Sequence, residues 1–351
     1  MDSMLLKNKF RGAMLGVLVG DCLGSPFEGK IRPKGLSILK RRSLQKRITK
    51  LEEQKFREPV MPYTDDSAMT RALAESLIDK RDLDIVDVAK RFARSYQNEP
   101  DRGYGAGAAS VLEKLLTVKE TDIKEPAKTL FDGLGSYGNG GAMRIAPMAL
   151  FLYNNYDHLL RYTKEVTEIT HTNKLGINGA ILQAIAIQQS LCLNPSEELN
   201  VSDFIDNLIS KMDKIEVDGQ PYKERLTIVK NLLFEDDTSW TSPSDEKVIQ
   251  ELGVGIRAIE SVPTAIFCFL RAQRLIRGIR TQNPLRRTIQ YAITLSGDTD
   301  TIASMAGAIA GAFHGYEKFS TLLLSHCEAS EEFREFAGKL LDVATSNPLN
   351  N

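Results

Sequence analysis

The sequence predicts an all-α protein that folds as one compact domain over residues 1–351. Apolar residues recur at three- and four-residue spacing along most of the chain, which is the pattern of helices that bury one face. The alternation that is typical of half-buried strands is nearly absent. No long stretch rich in proline, glycine and serine interrupts the chain, so the composition marks no boundary between domains.

The predicted helices are distributed along the whole chain. In chain order, the segments with helical periodicity are 8–23, 66–80, 84–97, 106–118, 123–131, 140–153, 157–169, 175–193, 201–213, 221–234, 244–252, 262–277, 283–294, 300–313 and 330–344. Each is bounded by turn-forming or capping residues, or by a change in the apolar spacing, so we treat each as a separate helix.

Two of these helices carry stripes of small residues spaced by four. The stripe residues are Gly12, Gly16, Gly20 and Gly24 in the first helix, and Gly307, Gly311 and Gly315 near the C-terminus. Small residues let helix backbones approach closely, although each glycine costs up to about 1 kcal/mol of helix propensity. Tight core packing is the simplest interpretation. Because both stripes adjoin acidic motifs, this packing would also bring those motifs together.

A strongly basic segment lies near the N-terminus. Residues 30–60 contain eleven Lys or Arg against three Glu. Within residues 36–55, Leu44, Ile48 and Leu51 share one helical face, while the basic side chains lie mostly on the others. We therefore predict a basic surface helix or a mobile insertion. Because Glu28 lies just before the segment, a flexible flank that opens a site is the second interpretation, and a patch for an anionic partner is the third.

Composition limits the classes of function. The net charge is −1, so bulk electrostatics favours neither direct DNA binding nor attachment to a membrane surface. No segment reaches the roughly 20 apolar residues that span a bilayer, and the first ten residues lack an apolar signal core. The cysteines have no CxxC spacing, which is typical of reduced thiols inside cells; they are Cys22, Cys192, Cys268 and Cys327. We expect a soluble intracellular protein.

Two acidic motifs supply the first chemical signal. Asp65 and Asp66 open one predicted helix, and Asp298 and Asp300 open another. Four carboxylates brought together would repel one another strongly and would need either protons or a cation. Oxygen ligands without sulfur suit Mg²⁺, Mn²⁺ or Ca²⁺ better than zinc. This number of anionic oxygens is enough for two ions bridged by a shared Asp.

Other interpretations of the acidic motifs stay open at this point. Either pair alone fits an ordinary helix N-terminus. An EF-hand is disfavoured, since Ala303 and Ile309 stand where that loop needs Gly and Glu. A phosphatase of the haloacid-dehalogenase type would also place Asp-x-Asp-Thr after a short strand, here residues 291–295, with Asp298 as the nucleophile. The missing strand–helix alternation argues against it.

A glycine-rich stretch supplies the second signal. Residues 133–143 contain a literal GxGxxG, but the strand–turn–helix unit of a dinucleotide-binding fold is absent. Glycines still allow close backbone approach, and amides at a helix start bind phosphate oxygens. Phe131 and Tyr137 offer flat surfaces on which a base could stack. The alternative for this stretch is an ordinary glycine loop. His171 is a further candidate, because it lies among polar loop residues at a helix boundary, and the alternative for it is a capping histidine.

These segments together resemble the ADP-ribosylhydrolase (ADP-ribosylglycohydrolase) family, all-helical glycohydrolases related to dinitrogenase-reductase-activating glycohydrolase. The resemblance rests on residues 10–24, 63–69, 139–144 and 296–301, which keep the family's order over nearly the whole chain. Residues 101–105, 135–139 and 260–265 are similar to the branch that removes ADP-ribose from serine and degrades poly(ADP-ribose). They look less like the branch that acts on ADP-ribosyl-arginine.

The resemblance implies an orthogonal helical bundle and two Mg²⁺ ions, with Mn²⁺ as a substitute. The implied metal ligands are Thr64, Asp65, Asp66, Asp298, Asp300 and Thr301, joined by Glu28 on a mobile flap. The implied substrate contacts are Asp65, Phe131, Leu134, Gly135, Ser136, Tyr137, Gly138, Asn139, Gly140, His171 and Ile256.

The resemblance also implies an activity: hydrolysis at the anomeric carbon of ADP-ribose, with Glu28 and Asp298 as catalytic residues. Expected substrates are seryl-ADP-ribosylated proteins, poly(ADP-ribose) and, as a further substrate, O-acetyl-ADP-ribose. We also expect a monomer that acts in DNA damage repair, in the cytoplasm and nucleus and also in the mitochondrial matrix. The alternatives are an ADP-ribosyl-arginine hydrolase, an aspartyl-nucleophile phosphatase and a non-catalytic ADP-ribose reader.

Overall fold

The computed structural model describes residues 2–54, 56–57, 59–235 and 243–350. Within these ranges there are eighteen α-helices and no β-strand, which confirms the all-α prediction. The helices are α1 Ser3–Gly24, α2 Ile38–Leu51, α3 Asp65–Lys80, α4 Ile85–Asn98, α5 Ala106–Leu115, α6 Glu125–Lys128, α7 Gly140–Met143, α8 Ala146–Phe151, α9 Tyr156–Thr167, α10 Lys174–Cys192, α11 Val201–Ile215, α12 Pro221–Phe234, α13 Asp245–Leu252, α14 Ala258–Arg271, α15 Pro284–Thr294, α16 Thr299–His314, α17 Thr321–Leu324 and α18 Ser330–Ser346.

Helices α1 and α16 pack against each other through their glycine stripes, as the spacing predicts. A Cβ atom added to Gly16 would lie 2.0 Å from the carbonyl oxygen of Gly307, so no larger residue fits at this crossing. At the end of α1, a Cβ on Gly24 would lie 2.5 Å from the Cα of Asp300. The close approach therefore places the C-terminus of α1 directly beside the acidic start of α16.

Helix α10 is a central element of the bundle. It is long and apolar enough to span a membrane by length and composition, but 78% of its most apolar window is buried inside the protein. Its C-terminus is capped from α1, because the Lys9 ammonium donates hydrogen bonds to the carbonyl oxygens of Ser190 (3.0 Å), Leu191 (2.8 Å) and Leu193. A cation at a helix C-terminus satisfies carbonyls that have no partner within the helix.

The observed helices differ from the predicted ones at several places. Residues 140–153 form two helices, α7 and α8, because Pro147 cannot donate the hydrogen bond that would continue the first. The predicted helix 123–131 reduces to α6, after which Phe131 adopts a left-handed φ of 52°. The predicted helix 262–277 begins earlier and ends earlier, as α14, with Pro263 inside it.

The basic segment contains helix α2. Leu44, Ile48 and Leu51 are its buried residues and attach it to the core. Two ion pairs join it to neighbouring helices: Arg41 with Asp245 of α13, and Glu52, just after α2, with Arg286 of α15. Lys55, the last residue of the predicted segment, lies outside the described residues.

Candidate metal centre and active site

The start of α3, the start of α16 and the end of α1 meet at one point. Thr64 is the N-cap of α3, and its hydroxyl accepts a hydrogen bond from the amide of Asp66. The Thr301 hydroxyl of α16 lies 3.4 Å from a carboxylate oxygen of Asp66. The two acidic motifs, far apart in sequence, are thus direct neighbours in space.

Two groups of carboxylates share one residue at this point. Asp21, Asp66 and Asp300 form one group, and Glu28, Asp298 and Asp300 form the other; within each, the candidate ligand oxygens lie within 4.8 Å of one another. Asp300 belongs to both. This arrangement offers two adjacent positions for cations with a shared carboxylate between them.

Burial and mutual repulsion make these carboxylates hard to ionise. The pKa of Asp66 is raised well above its usual value by burial and then by Asp21 and Asp300, and that of Asp300 by burial and then by Asp298 and Glu28. The pKa of Asp65 rises to about 7, chiefly through burial. Among the described residues, one buried oxygen of Asp66 (Oδ1) has no hydrogen-bond partner. A hard divalent cation fits this set, since it would satisfy the free oxygen and neutralise the charge.

Asp21 is a component of the site that sequence reasoning missed. Its fully buried carboxylate accepts hydrogen bonds from the Thr64 amide (3.0 Å), the Thr64 hydroxyl (2.9 Å) and the Ser67 amide (3.1 Å). It thereby caps the first turn of α3 and fixes the acidic motif there. The signal in the sequence was an Asp inside an otherwise apolar glycine-spaced helix, since an unpaired buried charge there would be costly.

Arg102 holds the same motif from the other side. Its carbonyl oxygen accepts from the Asp65 amide (2.8 Å), and its guanidinium donates to the Tyr63 carbonyl (2.9 Å). The guanidinium is anchored by both carboxylate oxygens of Glu328, at 2.6 and 2.8 Å. A bidentate pair of this kind fixes orientation as well as charge. The loop 101–107, which contains Arg102, therefore positions the acidic motif at the start of α3.

The predicted flap lies against the segment that leads into α16. The Gly29 amide donates to the Gly297 carbonyl (3.1 Å), and the Arg32 amide donates to the Ser296 hydroxyl (3.1 Å). These contacts place Glu28 beside Asp298. Burial, and then the charges of Asp298 and Asp21, raise the pKa of Glu28. A carboxyl group with a raised pKa is suited to exchange protons near neutral pH.

Asn139 orients Asp298. Its side-chain amide donates to a carboxylate oxygen of Asp298 at 2.6 Å and to the Ser261 hydroxyl at 3.0 Å. The Asp298 amide donates to the Val254 carbonyl (2.9 Å), and Gly297 turns the chain there with a φ of 81°. A Cβ on Gly297 would lie 2.1 Å from that same carbonyl oxygen, so glycine is required at this turn.

The carboxylates form one end of a cleft of about 920 Å³. Its walls include part of the glycine-rich stretch 133–143, called the glycine loop below. The predicted site residues that line it are Glu28, Thr64, Asp65, Phe131, Ser136, Gly138, Asn139, Gly140, His171, Ile256, Asp298, Asp300 and Thr301. Asp66 lies buried among its neighbours, within the first group of carboxylates. Leu134, Gly135 and Tyr137 do not line the cleft, although Tyr137 stacks on Phe131 with ring centroids 6.1 Å apart and 28° between planes.

His171 lies under the glycine loop as a neutral ring. Burial, and then the charge of Arg144, lower its pKa to about 3. The Thr170 hydroxyl lies 2.7 Å from Nδ1, and the same hydroxyl accepts from the Arg144 guanidinium at 2.7 Å. A Cβ on Gly140 would lie 2.7 Å from the imidazole Cε1, so the loop closes tightly over the ring. Arg144, like Asp21 and Arg102, is not among the predicted site residues.

The phosphatase interpretation loses its structural basis. Residues 291–294 belong to helix α15, and Leu295 is its C-cap. The buried strand that would present Asp298 as a nucleophile is therefore replaced by a helix and a tight turn. The Asp298–Asp300 motif opens α16, in a setting of other carboxylates.

Comparison with known proteins decides the family. The family model for ADP-ribosylglycohydrolase matches residues 2–349. The chain belongs to this family. Among ADP-ribosylglycohydrolase relatives, it is similar to "ADP-ribosylhydrolase ARH3" of Mus musculus (43% identity; 93% of this chain and 89% of the relative) and of Gallus gallus (42%; 95% and 93%).

The human protein of the same name is 43% identical over 93% of this chain and 90% of its own length. A solved structure titled "ADP-ribosylglycohydrolase-related protein complex" shares the fold, with a TM-score of 0.66, 20% identity and coverage of 97% of this chain and 99% of that one. Family membership and these relatives make the chain an ADP-ribosylhydrolase, a glycosidase that acts on ADP-ribose linkages.

Proposed function

We propose that this chain is a Mg²⁺-dependent hydrolase that releases ADP-ribose from serine on proteins and degrades poly(ADP-ribose). The observation that carries the proposal is the pair of carboxylate groups that share Asp300 and lie in the cleft that also contains Phe131, the glycine loop and His171. Such a cleft matches a ligand with a ribose at one end, phosphates in the middle and a base at the other.

The proposed cofactors are two Mg²⁺ ions, with Mn²⁺ as a substitute. Their proposed ligands are Glu28, Thr64, Asp65, Asp66, Asp298, Asp300 and Thr301. When bound, the ions would neutralise the buried carboxylates, orient ribose hydroxyls and lower the pKa of a nearby water. Asp21 and Arg102 are proposed to position the ligands without contacting the substrate.

The chemistry breaks the bond between the anomeric carbon and the departing oxygen, and water supplies the new oxygen. The transition state has oxocarbenium character, so one group must protonate the leaving oxygen while another accepts a proton from water. Glu28 is the proposed acid/base residue for the water, because its raised pKa allows it to hold a proton. Asp298, held by Asn139, is the proposed donor to the leaving group.

The preference for serine rests on the similarity of three segments and on the named relatives. In the segment 260–265 of this chain, Glu260 accepts a hydrogen bond from the Gly255 amide (3.2 Å) and pairs with Arg257 (3.3 Å). These contacts brace the turn that presents Ile256, 67% exposed, in the cleft wall. We propose that this turn contacts the group that leaves.

We further propose a monomer that folds as one domain and acts on ADP-ribosylated proteins in the cytoplasm and nucleus, and in the mitochondrial matrix. O-acetyl-ADP-ribose is a further proposed substrate, since its bond lies on the same ribose.

The test is a side-by-side assay of seryl-, arginyl- and poly-ADP-ribosylated substrates, each with Mg²⁺ and with EDTA. We expect release from the seryl-linked substrate and from poly(ADP-ribose) in Mg²⁺, and no release in EDTA. Release from arginine only would overturn the proposed branch. Tight ADP-ribose binding without release from any substrate would instead indicate a reader.

A further inference from the structure

A second groove adjoins the cleft and has a basic wall. This basic groove, of about 640 Å³, runs between one face of α2 (Ser43, Lys46, Arg47 and Lys50) and residues 59–62. Ser25 and Pro62 line both the groove and the cleft. Ser25 shortly precedes Glu28, and Pro62 shortly precedes Thr64, so the groove lies next to the cleft on the side of the carboxylates.

The basic wall is formed by helical spacing. Positions 43, 46, 47 and 50 fall on one face of α2, and three of the four are cationic. Lys46 is exposed, and within the described part of the chain it makes no ion pair. The Lys50 ammonium lies 5.3 Å from the centroid of the Phe56 ring. The groove therefore presents at least one fully available cation together with a second at its edge.

The opposite wall is apolar. Pro59, Val60 and Pro62 are exposed there, and Val60 retains 53% of its surface. A surface with cations on one side and apolar side chains on the other matches a nucleotide, whose phosphates and base need these two environments. An acidic peptide would use the cations but would leave the apolar wall without a partner.

Among the described residues that line the cleft, the only Lys or Arg side chains are Arg102 and Arg144, and both are engaged elsewhere. Arg102 is engaged by Glu328 and Glu99, and Arg144 is fully buried and donates to Thr170. Every unit of poly(ADP-ribose) carries a doubly charged pyrophosphate. A unit that extends beyond the carboxylates would leave the cleft, and among the described residues the basic groove offers cations beside the cleft on that side.

We propose that the basic groove binds the neighbouring ADP-ribose unit of poly(ADP-ribose), with its pyrophosphate near Lys46 and Lys50 and its adenosine against Val60 and Pro62. The proposal rests on the proposed function, since it assumes that the terminal unit occupies the cleft. It predicts that the groove favours chains over a single ADP-ribose on a protein.

The test compares two double variants with the same change in charge. Lys46→Gln/Lys50→Gln removes the groove cations, whereas Lys40→Gln/Arg42→Gln removes two exposed cations of α2 that do not line the groove. The groove variant should lose about tenfold in kcat/KM on poly(ADP-ribose) and show a weaker salt dependence. Its kcat/KM on a seryl-ADP-ribosylated peptide should not change. The control variant should match the wild type on both substrates, and thermal melts should show that both variants fold.

Equal losses in the two variants, or no loss in either, would overturn the proposal. The same would follow if the groove variant lost as much activity on the seryl peptide as on the polymer. If the wild type hydrolysed neither substrate, the proposed function would fail separately. Binding of poly(ADP-ribose) in excess EDTA would then decide the groove: weaker binding by the groove variant alone supports it, and equal binding contradicts it. Binding of polyglutamate is measured in the same way. If the groove variant bound polyglutamate more weakly than the wild type but bound poly(ADP-ribose) equally well, the groove would be assigned to acidic peptides and the proposal would be overturned.

Discussion

Gly24→Ala is expected to damage the metal centre through a single methyl group. The new Cβ would lie 2.5 Å from the Asp300 Cα and from the Thr299 carbonyl oxygen. This is roughly 1 Å inside the ordinary contact distance of about 3.5 Å, and all three nearest atoms are backbone. The strain can be relieved only by moving the start of α16 away from the end of α1.

That movement would act on the one residue that both carboxylate groups share. Overpacking of this kind costs about 1–3 kcal/mol of stability, which a chain of this size tolerates. A displacement of about 1 Å at a positioned group costs about 100-fold in rate. We therefore expect a folded protein with kcat/KM lowered about 100-fold and a higher Mg²⁺ concentration for half-maximal activity.

Gly338→Ala is the matched control. Gly338 lies within α18, and a Cβ there would meet no atom within 4 Å. The same substitution should stabilise the protein by up to about 1 kcal/mol through helix propensity and leave activity unchanged. Thermal melts and Mg²⁺ titrations of activity check both variants. Wild-type activity and Mg²⁺ dependence in Gly24→Ala would refute the reasoning that α1 packing sets the metal geometry.

Two further predictions concern protons. Glu28→Ala should lower kcat while leaving the affinity for ADP-ribose, measured by calorimetry, largely intact; a large loss of affinity with normal kcat would contradict its proposed role. The pKa of Asp65 is about 7 in the folded protein, against 3.8 for an ordinary Asp, so the folded state binds this proton more tightly than the unfolded chain does. Its contribution to stability is therefore complete below about pH 4 and is lost as the pH rises through about 7. As the pH rises over this range, the melting temperature in EDTA should therefore drop increasingly below the melting temperature in Mg²⁺. A difference in melting temperature that stays constant across the range would count against a cation among these carboxylates.

Much of the fold was predictable because helical periodicity is strong in this chain. The glycine stripes of α1 and α16 predicted the central crossing, since glycines at every fourth position serve little purpose unless another backbone lies against them. The helix over 140–153 was predicted as one because its apolar spacing continues across Arg144. Its division follows from Pro147, which lacks the backbone N–H needed to continue α7.

The site was predictable where function requires unusual local chemistry. The acidic motifs and the glycine loop stand out because isolated carboxylate pairs and clustered glycines need an explanation. Asp21 did not stand out, since its partners Thr64 and Ser67 lie more than forty residues away and only the α1–α3 packing shows that they meet. The guanidinium of Arg102 likewise gains its role from Glu328, at the far end of the chain.

The rate of ADP-ribose release from a seryl-ADP-ribosylated peptide, followed as Mg²⁺ is added to EDTA-treated protein, tests the central claim most directly. The wild type should be inactive in EDTA and should gain activity that saturates with Mg²⁺. Asp300→Ala, which removes the carboxylate common to both groups, should remain inactive at every Mg²⁺ concentration while still folding by thermal melt. Undiminished release in EDTA, or full activity of Asp300→Ala, would contradict the account.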